Sequence, residues 1–360
     1  MSSPLAKFDG LELPPAADFH VHLRDGPMME TVVPLIRAGG VNTVYVMPNL
    51  IPPLTSASDA MAYKNRIQQL EPDINIMLTL YLHESITPAV VRGAKAQGIV
   101  GIKVYPAGVT TNSQSGVSSY EAFYPVFRAM EQCGMVLNLH GECPSDHAKN
   151  ITILNAESKF LETLEGLHSM FPKLKIVLEH CTTKDAIETV NRCGPNVVGT
   201  ITAHHLYLTI DDWADDAFNY CKPVAKWPTD REALIKAAIG GTGKFFLGSD
   251  SAPHDISAKK GSSGKTAAGV FTQPYLLPLV IDAFELAILR GVITDEEVTV
   301  DILKGFLGGH GRKFYGISDP SNEAVILSKG TEIIQQSFKG QGVEVVPFRR
   351  GQSTWSIRWK

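Results

Sequence analysis

The 360-residue sequence predicts an α/β protein, a (β/α)8 TIM barrel with a short C-terminal extension. Three observations carry that expectation. Eight short apolar runs rich in β-branched residues recur along the chain, segments with helical spacing lie between them, and reactive polar side chains sit where the runs end. Continuous apolar runs, as opposed to strict alternation, are the pattern of parallel strands covered on both faces. From the first run to the last takes roughly 230 residues, or about 33 per interval, the size of a βαβ crossover. A doubly wound open sheet would bind its ligand at one switch point, and it does not predict reactive residues at the ends of most strands.

In chain order the runs are AADFHVH (16–22), VNTVYVMPN (41–49), INIMLTLYLH (74–83), IVGIKVYP (99–106), GMVLNLHGE (134–142), LKIVLEHCTT (174–183), NVVGTITAHH (196–205) and GKFFLGSDSAPH (243–254). Helical spacing covers 27–40, 58–70 and 87–98, the last two with Ser or Thr just before the first turn and two of the three closing on Gly. Beyond the eighth run, 273–291 and 295–307 read as helices, and short strands follow from about residue 319. The expected organisation is a barrel over 1–318 with an extension, 319–360, packed on it in the same domain, because some 40 residues make a poor independent core.

With 44% hydrophobic and 19% charged residues, the chain can bury a large core and is neither disordered nor fibrous. A net charge of −4 and a pI near 6.3 argue against nucleic acid or an anionic membrane as a partner. The cysteines number five, and no two have CxxC spacing, so a reducing compartment fits better than a disulfide framework. No run is long enough for a signal peptide or a membrane span. A soluble cytoplasmic protein is expected.

His20-Val21-His22 closes the first run. Residues two apart on a strand share a face, so both imidazoles can reach one ion. HxH alone is weak, but His140 and His180 end the fifth and sixth runs and Asp250 ends the eighth. Four imidazoles and a carboxylate at one barrel mouth suit Zn(II) or a similar divalent ion. A single ion rarely needs five protein ligands, so the excess points to two ions sharing a bridge. Lys103 stands inside an apolar strand, where an ammonium is costly unless paired or neutralised. Paired with an acid it would be structural. Beside two cations it would instead lose its proton and add carbon dioxide, and the resulting carbamate is an anionic ligand able to bridge two metals. Arg24, two residues beyond His22, has a planar fork suited to a carboxylate.

Taken in order, DFHVHLRDG, VMPN, GIKVYPAGVTTNS, LNLHGE, LEHCTT and LGSDSAPH closely resemble the dihydroorotase family of the amidohydrolase superfamily, in the compact stand-alone form of Gram-negative bacteria and fungi. The resemblance runs from about residue 14 to the C-terminus. It implies two Zn2+ per subunit, an N6-carboxylated, bridging Lys103 and a homodimer. His20, His22 and Asp250 would hold the more buried metal, His140 and His180 the other, with a hydroxide and Lys103 as bridges. The implied reaction is reversible cyclisation of N-carbamoyl-L-aspartate to L-dihydroorotate plus water, the third step of de novo pyrimidine biosynthesis, with Asp250 as catalytic acid and base. Asn49 and His254 would complete a carboxylate clamp with Arg24, while Lys222 and Ala268 would meet the ring's amide edge through main-chain groups. The polar, glycine-bracketed segment 108–116 would be a lid whose Thr110 and Thr111 hydroxyls reach the substrate.

The chemistry stands without the resemblance as well. Opening a cyclic amide needs a nucleophile at neutral pH, a polarised carbonyl and a proton for the departing nitrogen, and two cations with a nearby carboxylate supply all three. A dihydropyrimidinase or allantoinase is the nearest rival, but an uncharged ring gives the Arg24, Asn49 and His254 clamp nothing to hold. A metal-free scaffold should have lost ligands, and here no ligand of the set is missing. His204 and His205, at the end of the seventh run, would face opposite ways on a strand and are expected to be structural. His83 is expected as buried packing, and Cys143 and Cys181 as small core fillers.

Overall fold

Each apolar run supplies one strand of a single parallel sheet, paired in chain order: β1 (Ala16–Val21), β2 (Val41–Val46), β3 (Asn75–Tyr81), β4 (Gly101–Val104), β5 (Val136–His140), β6 (Ile176–Glu179), β7 (Val197–Ile201) and β8 (Phe245–Leu247). The computed structural model describes residues 3–262, 264–318 and 322–360. A helix follows each strand: α1 (Gly26–Val32), α2 (Ala57–Leu70), α3 (Pro88–Ala96), α4 (Tyr124–Cys133), α5 (Ala156–Met170), α6 (Lys184–Arg192), α7 (Pro228–Ile239) and α8 (Leu276–Leu289). Ser56 and Thr87 cap α2 and α3 by accepting from the amides of Asp59 and Val90. The helix expected over 27–40 stops at Val32 and continues as two 3-10 turns, since Pro34 has no N–H to extend the ladder.

The sheet closes at its mouth. Asp250 N donates to His20 O at 2.8 Å, His22 N donates to Ser251 O at 3.0 Å, and Val21 bridges Ser251 in parallel. Asp18 pins the same seam, accepting from Ser249 N at 2.8 Å and from His20 N at 3.1 Å. Burial pushes its carboxyl up to about 6. Between Asp18 and Val21 the strand uses three steps where β2, from Val44 to Val46, uses two. That bulge resets the strand's parity, so Phe19 joins the apolar plug inside the barrel while His20 and His22 still turn to the mouth.

The plug contains Ala17, Phe19, Tyr45, Met77, Val177, Val198 and Phe246, with Tyr315 stacked on Phe19. Gly101 is required here, because a Cβ at that position would lie 2.3 Å from the Tyr45 hydroxyl oxygen. A larger apolar layer fills the space between strands and helices.

Of the two C-terminal helices expected, 273–291 forms α8 after a 3-10 turn, whereas the one over 295–307 begins only at Val300 and, past Lys304, continues as a π turn over Gly305–Gly309 into a further helix, His310–Tyr315. The boundary expected at 318/319 falls at the edge of 319–321, which lie outside the described residues. Past it, Val325–Ile333 pairs antiparallel with Ser353–Trp359 and with the N-terminal strand Glu12–Leu13. Trp355 is buried there, and its indole donates to Glu285 of α8 at 3.1 Å. Among the described residues, no helix is long and apolar enough to cross a membrane.

Candidate metal centre and substrate pocket

His20, His22 and Asp250 meet at the closed seam, each bringing a donor atom within 4.8 Å of the others. Both imidazoles are oriented from behind. His20 Nδ1 lies 2.9 Å from Glu179 Oε2, and His22 Nδ1 lies 2.8 Å from Asn49 Oδ1. Both Nε2 atoms therefore turn inward onto one oxygen, Asp250 Oδ1, at 3.3 Å for His20 and 3.0 Å for His22. The His20 contact lacks hydrogen-bond geometry, so its buried Nε2 has no hydrogen-bond partner. Metal-binding histidines are held in this way, one nitrogen fixed by an oxygen acceptor and the other free for the ion. Burial lowers His22 to about 4, keeping it neutral and able to ligate. Burial alone would raise the Asp250 carboxyl, but the close His20 and His22 imidazoles overcome it and hold it well below the ordinary range.

His180 extends the cluster to His140, with ring centroids 5.0 Å from His20 to His180 and 4.7 Å from His140 to His180. His140 Nε2 meets Glu142 Oε2 at 2.7 Å, which leaves Nδ1 as the available donor. Burial lowers both imidazoles from their ordinary value, His180 far below it. Lys103 lies fully buried on β4, and its ammonium has no hydrogen-bond partner among the described residues. Burial lowers it to about 8 against the opposing pull of Glu179 and Asp250. The unpartnered nitrogens of His20, Lys103 and His180, in a nest of N and O donors, fit divalent cations.

Strand ends give way to strained backbone at this rim. Arg24, His180 and Asp250 all have positive φ, at 60°, 43° and 45°. Non-glycine residues are held there only when their surroundings fix them, and such positions gather at functional sites. Arg24 Nε donates to Pro253 O at 3.1 Å, its Nη2 lies 3.2 Å from His254 Nε2, and that nitrogen lies 2.9 Å from Ala268 O. Asn49 reaches both halves of the site, since its Nδ2 donates to Thr111 O at 3.1 Å. Arg24, Asn49, Thr110, Thr111, Lys222 and Ala268 line one small cavity with His20, His22, His140, His180 and Asp250. Lys103 and His254 do not line this cavity themselves: Lys103 Nζ lies 5.3 Å from the ring centroid of Tyr105, which does, and His254 meets Arg24.

Comparison with known proteins decides what this constellation belongs to. No family model matches the chain. A protein of Schizosaccharomyces pombe described as a probable dihydroorotase is 48% identical over 352 residues, covering 97% of this chain and 99% of its own. The chain belongs to the dihydroorotase family. Membership carries dihydroorotase activity in pyrimidine biosynthesis. The dihydroorotase of the bacterium Teredinibacter turnerae is 38% identical over 358 residues, with 97% and 99% of the two chains covered. The crystal structure of Saccharomyces cerevisiae dihydroorotase in complex with 5-fluoroorotic acid superposes with a TM-score of 0.89 at 42% identity, over 97% of this chain and 99% of that one.

Two expectations for this dihydroorotase chain need correction. His204 and His205 are not on a strand: β7 ends at Ile201, and both lie on a 3-10 turn with ring centroids 4.4 Å apart. They pack side by side, with Cys221 completing a second group of donors within 4.8 Å. His83 is not buried packing but a partly exposed turn residue, its Nδ1 3.0 Å from Ser85 Oγ. Cys181 is buried as expected, whereas Cys143 is only partly so. Sequence reasoning missed Glu179 and Glu142, the carboxylates that orient His20 and His140. Their one signal was proximity, Glu179 preceding His180 and Glu142 following His140 by two.

Proposed function

We propose that the chain interconverts N-carbamoyl-L-aspartate with L-dihydroorotate and water at a binuclear zinc centre. His20, His22, His140, His180, Asp250 and an N6-carboxylated Lys103 would hold the ions. The observation that carries this is the orientation of His20 and His22: each is fixed at Nδ1, and both Nε2 atoms converge on one Asp250 oxygen. When bound, such ions lower the pKa of water to about 7 and polarise a carbonyl oxygen.

The side chains do the rest. In the hydrolytic direction Asp250 accepts the nucleophile's proton and delivers it to the departing ring nitrogen; in the cyclising direction it takes that proton from the attacking nitrogen. Lys103, depressed to about 8 by burial, has a neutral amine fraction that forms a C–N bond with carbon dioxide and releases a proton. Arg24, flanked by Asn49 and His254, grips the substrate carboxylate, a partner that neutral cyclic amides lack. Lys222 and Ala268 present main-chain groups to the ring amide. Segment 108–116 is a lid that closes Thr110 and Thr111 over the substrate and excludes water. Cyclisation consumes a proton, so acid favours the ring.

The test is turnover of purified protein on L-dihydroorotate, followed in the ultraviolet, with and without a chelator, alongside metal analysis. About two zinc ions per chain and loss of turnover on chelation are expected; full activity in metal-free protein would refute the centre. The same reading makes the protein a cytoplasmic homodimer whose residues 319–360 belong to the barrel domain. Light scattering on the purified protein checks the dimer.

A further inference from the structure

The segment 108–116 is tied down from two sides. Toward the metal centre it is held by Asn49, which donates to Thr111 O at 3.1 Å and accepts from Asn112 Nδ2 at 3.0 Å. On the opposite side Lys222 Nζ donates to Val109 O at 2.7 Å. Beneath the segment the cavity shared with the histidines measures about 20 Å³, while Lys222 also borders an outer cavity of about 830 Å³ together with Trp213, Tyr220 and Lys265. A space of about 20 Å³ accommodates one water and not a dicarboxylate, so the cavity must widen to take substrate, and Thr110 and Thr111 of the segment stand between it and the outer cavity.

The two ties differ in kind. Asn49 is placed in the carboxylate clamp, so its bonds to the segment depend on what the site holds. Lys222 also reaches a main-chain oxygen, but with a charged donor, and such bonds are stronger than neutral ones. Its own backbone is fixed: Cys221 and Val224 on either side are buried, and Cys221 Sγ donates to Pro223 O at 3.3 Å.

We propose that the Lys222 ammonium is a latch, a positioning residue that holds segment 108–116 closed over the site through the Val109 carbonyl. The latch deepens the lid reading given above and rests on it. It assigns the side chain of Lys222 a task separate from that of its main chain at the substrate.

Lys222→Met keeps the length of the stem and removes the donor. In the free holoenzyme, amide hydrogen exchange across 108–117 should rise about 10- to 100-fold, the weight of one charge-assisted hydrogen bond, and KM for L-dihydroorotate should rise by a smaller factor, as the segment comes to stand open in the free protein, without a fall in kcat. Lys222→Arg, which retains a donor, should return both most of the way. Lys265→Met removes a like charge from the same outer cavity and should change neither. Unchanged exchange in Lys222→Met overturns the latch, as does a fall in kcat with KM constant. An equal effect from Lys265→Met would assign the result to charge and also overturn it. If no variant and no parent protein turns over dihydroorotate, the functional reading fails while the exchange measurement still decides the latch.

Discussion

Among the described residues two buried groups of metal-type donors stand out, and in only one of them are both imidazoles turned onto a shared carboxylate oxygen. His20, His22 and Asp250 form the first, His204, His205 and Cys221 the second, and in each the donors lie within 4.8 Å of one another. In the first group the protein's acceptors hold the far nitrogens, Glu179 on His20 and Asn49 on His22, and the near nitrogens converge on a single oxygen. In the second, protein atoms occupy the near positions of His205 and Cys221, while neither ring nitrogen of His204 has an acceptor to orient it among the described residues. His205 Nε2 lies 3.1 Å and Cys221 Sγ 3.3 Å from the same Pro223 carbonyl, and Thr202 Oγ1 lies 2.9 Å from His205 Nδ1. Donor identity and spacing are the same test passed twice. What separates the groups is whether acceptors fix both imidazoles from behind so that their other nitrogens turn to one carboxylate oxygen, and that property resides in neighbours far away in sequence.

The sharpest way to break this contrast is to alter the shared oxygen. Asp250→Asn keeps the shape of the first group but removes the charge on which the proposed ligand and proton-acceptor roles depend, and turnover should fall by about 100- to 10,000-fold, the range for loss of a positioned acid or base. Glu179→Gln acts one bond further out, through His20, and should weaken zinc affinity or activity by about 10- to 100-fold. Zinc titration against a competing chelator measures the second effect. An Asp250→Asn enzyme with parental kcat/KM would mean that the first group is no more catalytic than the second.

The strand ends were legible because a barrel forces them to be. HxH, Lys103, His140, His180 and Asp250 each close or punctuate an apolar run, and closing the sheet in chain order leaves them nowhere to go except one rim. The bulge in β1 was not legible, because DFHVH reads equally well as regular alternation. Nor was the turn at His204, where the letters GTITAHH continue a strand that the backbone leaves at Ile201. Glu179 was hidden for the opposite reason. Inside LKIVLEH it looks like a polar interruption of a run, and only pairing of β6 beside β5, with His140 opposite Glu179, shows that it faces His20 across the barrel. Residues whose task is to orient another residue leave little trace in one sequence.

His204 sharpens the comparison through pH. Neither of its ring nitrogens has a hydrogen-bond partner among the described residues, and burial lowers it from 6.5 to about 4. Between those values the unfolded chain binds a proton that the fold refuses, so its contribution is fully present above 6.5 and is lost as pH falls toward 4. His204→Gln should remove that loss. Chemical denaturation of parent and variant should diverge by about 1.4 kcal/mol per pH unit below 6.5, the parent losing more, with little difference at pH 8. Parallel curves would show that His204 titrates alike in both states.

The smallest effect belongs to Cys221, and its smallness is the point. If Pro223 already satisfies the thiol, Cys221→Ala forfeits one weak hydrogen bond and a sulfur's worth of packing, about 1 kcal/mol of stability. Metal content and turnover should stay at the parental level, because every donor of the first group is nitrogen or oxygen. That difference in donor chemistry gives the test its own signal. With cobalt in place of zinc, the parent should show ligand-field bands of nitrogen and oxygen ligation and no sulfur-to-metal charge transfer. A charge-transfer band that Cys221→Ala abolishes would mean that an ion displaces the thiol proton and the Pro223 contact, and the two groups would then differ only in affinity.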